Sequence, residues 1–212
     1  MNDEIVETKN QTALLASLAL AGIAYFAVVL VGLHVLDADL NPFSRTTSEY
    51  AVGRYRNLMI SAFLALTICC PALALGLRRG LSESPRSRVG LVLLGFFGLS
   101  ALVALLFPID PEFYSPTVHG TIHRINGAIG FSALTVGVAL LTRQFAGDES
   151  WKSQYPAAFA MSFVMILAYL ATLLGMVAGF GFEGLIQRIY LAAFIVWFLL
   201  TAAHLRALSI EN

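Results

Sequence analysis

Six long apolar segments follow one another along this chain of 212 residues. A helix needs about 20 mainly apolar residues to cross a bilayer. Six ranges meet that requirement: 12–36, 57–77, 89–107, 118–142, 156–180 and 185–205. Only 12% of the residues are charged, whereas a soluble domain has about 25%. The sequence therefore predicts an all-α, multi-pass protein that forms one transmembrane bundle of six helices in a lipid bilayer.

The distribution of lysine and arginine predicts how the bundle is oriented. With six spans, both termini lie on the same side as the second and fourth connections. That side carries eight of the 13 basic residues: Lys9, Arg78, Arg79, Arg86, Arg88, Arg143, Lys152 and Arg206. The opposite side carries Arg45, Arg54, Arg56, Arg124 and Arg188. Because cytoplasmic loops are enriched in Lys and Arg, we expect both termini in the cytoplasm (N-in, C-in) and the protein in a plasma or inner membrane.

Ionisable side chains collect at the opposite end of the bundle, around the first, third and fifth connections. Three of the four histidines are among them. An ionisable group at the edge of a bilayer must pair, bind a ligand or face water. The set comprises His34, Asp37, Glu49, Asp110, His119, His123 and Glu183. The sequence therefore predicts a polar pocket that opens outward at this end.

His119 and His123 are four residues apart, which places both imidazoles on one face of the fourth helix. Two histidines at this spacing can share a divalent metal such as zinc with a third ligand. Candidate third ligands are Asp110, Glu49, Glu183 and His34. Alternatively, the two imidazoles are structural and hydrogen-bond to neighbouring carboxylates. A haem held between His34 and His123 is a further candidate cofactor.

The first connection carries a candidate nucleophile, Ser48, among acids and histidines. The surrounding residues Thr46-Thr-Ser-Glu49 are also typical of a capping box, in which a hydroxyl and a glutamate three residues later satisfy free amides. The second helix is therefore predicted to begin near Thr47, with Ser48 belonging to its start if it has no catalytic role.

The last connection carries candidate ligand-binding residues. Glu183 and Gln187 are four apart and share a helix face. Arg188 has a planar guanidinium that suits a phosphate or carboxylate. The alternative is that Arg188 forms an ion pair with Asp110, Glu49 or Glu183 and only joins helix ends.

Two short motifs and one segment carry a resemblance to a known family. These are Ser48-Glu49-Tyr50 followed by Gly53, residues 110–123, and Glu183-Gly-Leu-Ile-Gln-Arg188. With them the chain resembles the prokaryotic six-helix membrane family catalogued as domain of unknown function 998. The resemblance spans almost the whole chain and implies a six-helix membrane protein without a particular activity.

Two functions of different classes fit these observations. In the first, the pocket binds a lipid headgroup or a small polar ligand, or hydrolyses it with the help of a metal. The candidate catalytic residues are His119, His123, Asp110 and Glu49, of which His119, His123 and Asp110 would also hold the metal. The candidate ligand-binding residues are Arg188, Gln187, Glu183, Ser48 and His34. In the second, the protein is a non-catalytic structural or accessory subunit of a larger membrane complex. A net charge of zero gives no reason to expect a nucleic-acid partner.

Overall fold

The chain folds into six long α-helices. The structure is a computed structural model that describes residues 2–111, 115–178 and 180–211. Its helices are α1 (Asn2–Leu36), α2 (Arg56–Gly80), α3 (Pro85–Leu106), α4 (Val118–Phe145), α5 (Tyr155–Ala178) and α6 (Glu183–Glu211). Each of the six is long and apolar enough to cross a membrane, and no strand occurs in these ranges. The predicted all-α bundle of six spans is confirmed.

The helices are longer than the predicted spans at several ends. Helix α1 already begins at Asn2, α4 continues to Phe145 and α6 continues to Glu211. Hydropathy marks where the apolar residues stop, whereas backbone hydrogen bonds carry a helix on into the polar region. Gly179, within the predicted fifth span, lies outside the described residues, as do residues 112–114 of the segment that carries the family resemblance.

The six helices form a closed ring. Each helix packs against its neighbours in sequence, and α1 also packs against α6. The contact between α4 and α5 is the least extensive in this ring. The core inside the ring is aromatic, and Phe194 and Trp197 of α6 are fully buried in it. The indole N–H of Trp197 donates to the hydroxyl of Thr142 at 2.9 Å, which satisfies a buried donor in an apolar setting.

One end of the bundle, here called the arginine end, contains the α2–α3 and α4–α5 connections. Asp148 accepts hydrogen bonds from the backbone N–H of Ser82 at 2.9 Å and from its hydroxyl at 2.6 Å. Trp151 donates to the carbonyl of Gly80 at 2.7 Å and stacks on Phe145 with 4.6 Å between ring centroids. These bonds fasten the two connections to each other.

The other end, here called the histidine end, contains the α1–α2, α3–α4 and α5–α6 connections. The prediction that the second helix begins near Thr47 is wrong. A separate short 3-10 helix occupies Thr47–Ala51, and α2 begins only at Arg56. The chain turns between the two at Gly53, where a Cβ atom would lie 2.8 Å from a carboxylate oxygen of Asp37. Asp37, just beyond the end of α1, therefore leaves little room for a side chain at this turn.

The α1–α2 connection lies directly on the first turn of α6. The N–H of Leu185 donates to the carbonyl of Phe43 at 3.0 Å. A Cβ atom on Gly184 would overlap the backbone carbonyl oxygen of Arg45 and lie 2.8 Å from that of Pro42. Backbone atoms cannot move aside as a flexible side chain can, so only glycine permits this approach.

We predict that Gly184→Ala lowers the stability of the folded protein. The added methyl group forces the connection away from α6, and overpacking of this kind typically costs about 1–3 kcal/mol. Thermal unfolding of the purified protein in detergent measures the effect. The matched control is Gly32→Ala, because a Cβ atom at Gly32 of α1 would meet nothing within 4 Å. Equal unfolding temperatures for the two variants would contradict the close approach.

Candidate functional site

Arg188 of α6 joins three parts of the histidine end. Its Nε donates to Nε2 of His34 at 2.6 Å. Its Nη1 donates to the carbonyl of Arg45 at 2.6 Å and to that of Gly184 at 3.0 Å. Nδ1 of His34 lies 2.6 Å from the carbonyl of Leu30. Because a carbonyl only accepts and a guanidinium only donates, His34 is the neutral tautomer with its hydrogen on Nδ1.

Gln187, one residue earlier on α6, holds the start of the 3-10 helix. Its side-chain oxygen accepts the N–H of Thr47 at 2.7 Å and the hydroxyl of Thr47 at 3.1 Å. The backbone donor fixes the orientation of the amide, since only the oxygen can accept. Within the described ranges, the amide nitrogen Nε2 of Gln187 has no hydrogen-bond partner.

Glu49 and Tyr50 complete the attachment of the connection. The carboxylate of Glu49 pairs with Arg45 and accepts the N–H of Thr46 at 2.7 Å. Tyr50 is fully buried, and its ring meets that of His34 edge-on at 5.6 Å. The hydroxyl of Tyr50 and Nη2 of Arg188 are both buried without a hydrogen-bond partner among the described residues. The two motifs that carry the family resemblance therefore lie against each other and fasten one connection to α6.

Asp110 holds the N-cap residue of helix α4, Thr117. Its carboxylate accepts the N–H of Thr117 at 3.1 Å and the hydroxyl of Thr117 at 2.5 Å. The Thr117 hydroxyl oxygen in turn accepts the N–H of Gly120 at 3.1 Å as the N-cap of the helix. Arg124 lies 3.4 Å from the same carboxylate. The hydrogen bonds from Thr117 lower the pKa of Asp110, and the positive charges of Arg124 and His119 lower it further.

The predicted metal site of His119, His123 and Asp110 is not assembled. Within the described part of the chain, no three His, Cys, Asp or Glu side chains are placed to hold one metal ion. His119 is exposed and its ring lies 5.4 Å from that of Phe107. His123 is buried and its Nδ1 bonds the carbonyl of Phe107 at 2.8 Å. The two imidazoles share a helix face, but one contacts the ring of Phe107 and the other hydrogen-bonds to its carbonyl. Asp110 instead hydrogen-bonds to Thr117.

Haem binding between His34 and His123 stays a prediction, and both ring nitrogens of His34 are hydrogen-bonded within the protein. His34 donates from one ring nitrogen to Leu30 and accepts at the other from Arg188. Neither nitrogen of His34 therefore offers a lone pair to an iron atom in this arrangement.

A cavity of about 230 Å³ lies between α4, α5 and α6 at the histidine end; we call it the lateral cavity. Its polar lining residues are Thr46, Ser48, His123, Arg124, Tyr169, Thr172, Glu183, Gln187 and Tyr190. Its apolar lining residues are Ile109, Gly127, Ala128, Phe131 and Leu173. The cavity is where the sparse contact between α4 and α5 leaves space.

A smaller space of about 50 Å³, the inner cavity, adjoins it within the bundle. The residues common to both linings are Ser48, His123, Gly127, Phe131 and Gln187. Asn126 also lines the inner cavity, and its side-chain nitrogen donates to the carbonyl of Ser100 at 2.9 Å. Polar groups thus continue from the end of the bundle toward its interior.

The lateral cavity contains hydrogen-bonding groups that the protein itself leaves unused. Among the described residues, the hydroxyl of Ser48 has no partner, and neither has Nε2 of Gln187. An unpaired polar group out of bulk water is unfavourable unless a ligand or water satisfies it. These two groups can therefore bind a polar ligand without first breaking a bond.

The structure divides the predicted site residues into two groups. Ser48, His123, Glu183 and Gln187 line the lateral cavity. His34, Glu49, Asp110, His119 and Arg188 lie outside its lining and hold the surrounding segments or cover their surface.

The polar lining residues that were not among the sequence candidates include Arg124, Tyr169, Thr172 and Tyr190. The hydroxyl of Tyr190 bonds that of Thr135 at 2.9 Å, and that of Tyr169 bonds Ser132. A tyrosine in the middle of an apolar span could have indicated these polar positions, because a buried phenol needs a hydrogen-bond partner.

The fold defines a multi-pass membrane protein with six helices that are long and apolar enough to cross a bilayer. The family described as "Protein of unknown function (DUF998)" matches residues 19–204, so the chain belongs to this family. No curated protein and no solved structure matches the chain.

We predict that Asp110 makes stability depend on acid pH. Because the pKa of Asp110 is lowered by folding, its contribution is complete at neutral pH and is lost as pH falls through the lowered pKa. Asp110→Asn should remove this contribution and flatten the acid limb of the stability curve. Thermal unfolding between pH 7 and about 3, across the usual aspartate range near 3.9, measures it.

The matched control for Asp110 is Asp39→Asn, an exposed carboxylate without a partner among the described residues. Asp39→Asn should keep the acid limb of the wild-type protein. Indistinguishable acid limbs for wild type and Asp110→Asn would show that Asp110 does not support α4.

Proposed function

We propose that this protein binds an amphiphilic small molecule, such as a lipid with a compact polar headgroup, in the lateral cavity. The observation that carries the proposal is the division of the cavity lining into a polar part with unused hydrogen-bonding groups and an apolar part. Ligand sites are typically apolar clefts with a few placed polar groups. A volume of about 230 Å³ suits a small headgroup or a small polar ligand.

The polar part supplies groups of different character. Ser48 can donate and accept, and Nε2 of Gln187 donates. The lining also contains a cation, Arg124, and a carboxylate, Glu183. Charges of both signs line the cavity, so the headgroup that fits is neutral or zwitterionic rather than strongly anionic. His123, with its hydrogen held on Nδ1 by Phe107, adds the lone pair of its other nitrogen when the ring is neutral.

The apolar part connects the cavity to the lipid-facing surface. Leu173 of α5 is 42% exposed and also lines the cavity. Ala128 of α4 is likewise exposed and lines it. An amphiphile already dissolved in the bilayer can therefore enter between α4 and α5 and leave its chain in contact with lipid.

A second candidate function is that of a non-catalytic subunit in a larger membrane complex. The closed network of Arg188, His34, Arg45 and Glu49 favours it, since these residues hold segments of the protein together. In that case the lateral cavity has no specific ligand. The two functions can therefore be distinguished by whether a substitution that fills the cavity reduces ligand binding.

Orientation is part of the proposal. Eight of the 13 basic residues belong to the arginine end and the termini, so we propose that this end faces the cytoplasm. The lateral cavity would then open at the outer side of a plasma or inner membrane.

We predict that Gly127→Leu lowers ligand retention and leaves the bundle folded. Gly127 lines both cavities, and a Cβ atom there would meet nothing within 4 Å, so a larger side chain fills the cavity without displacing backbone. Mass spectrometry of lipids that co-purify with the protein should show about tenfold less of the retained species, equivalent to about 1.4 kcal/mol of binding.

The matched control is Gly95→Leu. Gly95 is also a half-buried helical glycine with open space around it, but it is absent from the lining of both cavities. Gly95→Leu should retain the same lipids as the wild type. If Gly127→Leu retains them equally, the cavity is not a ligand site and the subunit function is favoured.

A further inference from the structure

A second open space lies at the arginine end, far from the lateral cavity. This groove, here called the arginine groove, has a volume of about 470 Å³ between α1 and α2. Its lining consists of Gln11, Leu14, Leu15, Leu75, Arg78 and Arg79. It shares no lining residue with the lateral cavity and does not depend on the proposed function.

The two arginines of the groove have no partner among the residues that the structure describes. Arg78 and Arg79 are exposed in the last turn of α2, and neither has a hydrogen bond or ion pair within the described part of the chain. Two other basic residues at this end have partners: Arg88 pairs with Glu83 at 2.8 Å, and Lys152 pairs with Glu149 at 3.1 Å. On α1, Glu7 accepts a hydrogen bond from Gln11 at 3.2 Å.

The walls of the groove below the arginines are aliphatic. Leu14 of α1 is 61% exposed and Leu75 of α2 is 53% exposed. Leu75 lies one helical turn from Arg78 and Arg79, toward the middle of the span. The groove therefore has two unpaired cations at its rim and apolar walls along its length, which is complementary to a phosphate group attached to an acyl chain.

We propose that the arginine groove binds an anionic phospholipid, with its phosphate on Arg78 and Arg79 and an acyl chain along Leu14 and Leu75. Guanidinium groups suit phosphate oxygens because they form paired, charge-assisted hydrogen bonds. Basic residues next to a span attract anionic lipids in this way. The side-chain amide of Gln11 at the same rim can add a further hydrogen bond.

The test uses the full-length protein in detergent micelles, titrated with phosphatidylglycerol or phosphatidylcholine and followed by native mass spectrometry. The wild type should bind phosphatidylglycerol in preference to phosphatidylcholine. The double variant Arg78→Gln/Arg79→Gln should bind phosphatidylglycerol about 10- to 30-fold more weakly, as expected for the loss of two basic residues near the bilayer surface. Unchanged binding would overturn the proposal.

A charge-matched control variant distinguishes a specific lipid site from general electrostatic attraction of anionic lipid to this end of the bundle. Arg86 and Arg143 are also exposed at this end and without a partner among the described residues, but they lie outside the groove lining. Arg86→Gln/Arg143→Gln should bind phosphatidylglycerol like the wild type, and an equal loss would show diffuse electrostatics only. Glycerol phosphate, the free headgroup, should bind neither double variant nor the wild type, and tight binding to the wild type would show a soluble-phosphate site instead.

Discussion

The guanidinium of Arg188 is the interaction on which the histidine end depends. It donates at once to His34 of α1, to the carbonyl of Arg45 in the α1–α2 connection and to Gly184 of its own helix. A half-buried cation at a membrane edge needs partners. The three acceptors bind Nε and Nη1 only when α1, the connection and α6 are together, while Nη2 is buried without a partner among the described residues. The fixed fork of arginine makes this a geometric constraint as well as an electrostatic one. The position of Ser48, and with it one wall of the lateral cavity, follows from that constraint.

The six spans could be predicted because lipid leaves a helix few alternatives: every backbone polar group must be satisfied within it. The site was predictable only in part. The spacing of His119 and His123 predicted their common helix face. It did not predict that both histidines would contact Phe107, or that Asp110 would hydrogen-bond to Thr117. Gln187 and Thr47 are 140 residues apart, and no local pattern reports such a contact.

The histidine end and the arginine end use their polar residues differently. At the histidine end, Arg188 and Glu49 hold the α1–α2 connection through hydrogen bonds. Among the described residues, the hydroxyl of Ser48 and Nε2 of Gln187 in the lateral cavity have no partner. At the arginine end, Asp148 and Trp151 join two connections, while Arg78 and Arg79 have no partner among the described residues. In both places a well-satisfied framework adjoins groups that the protein leaves free. The free groups are those we assign to ligands.

Amide hydrogen exchange tests the attachment of the α1–α2 connection to α6 most directly. The N–H groups of Thr47 and Leu185 each donate across this contact, to Gln187 and to Phe43. Both should exchange slowly in the wild type and quickly in Arg188→Ala, while the N–H of Trp151 at the arginine end, bonded to Asp148, should be unaffected. Rapid exchange at Thr47 and Leu185 in a wild-type protein whose helices remain protected would contradict the account.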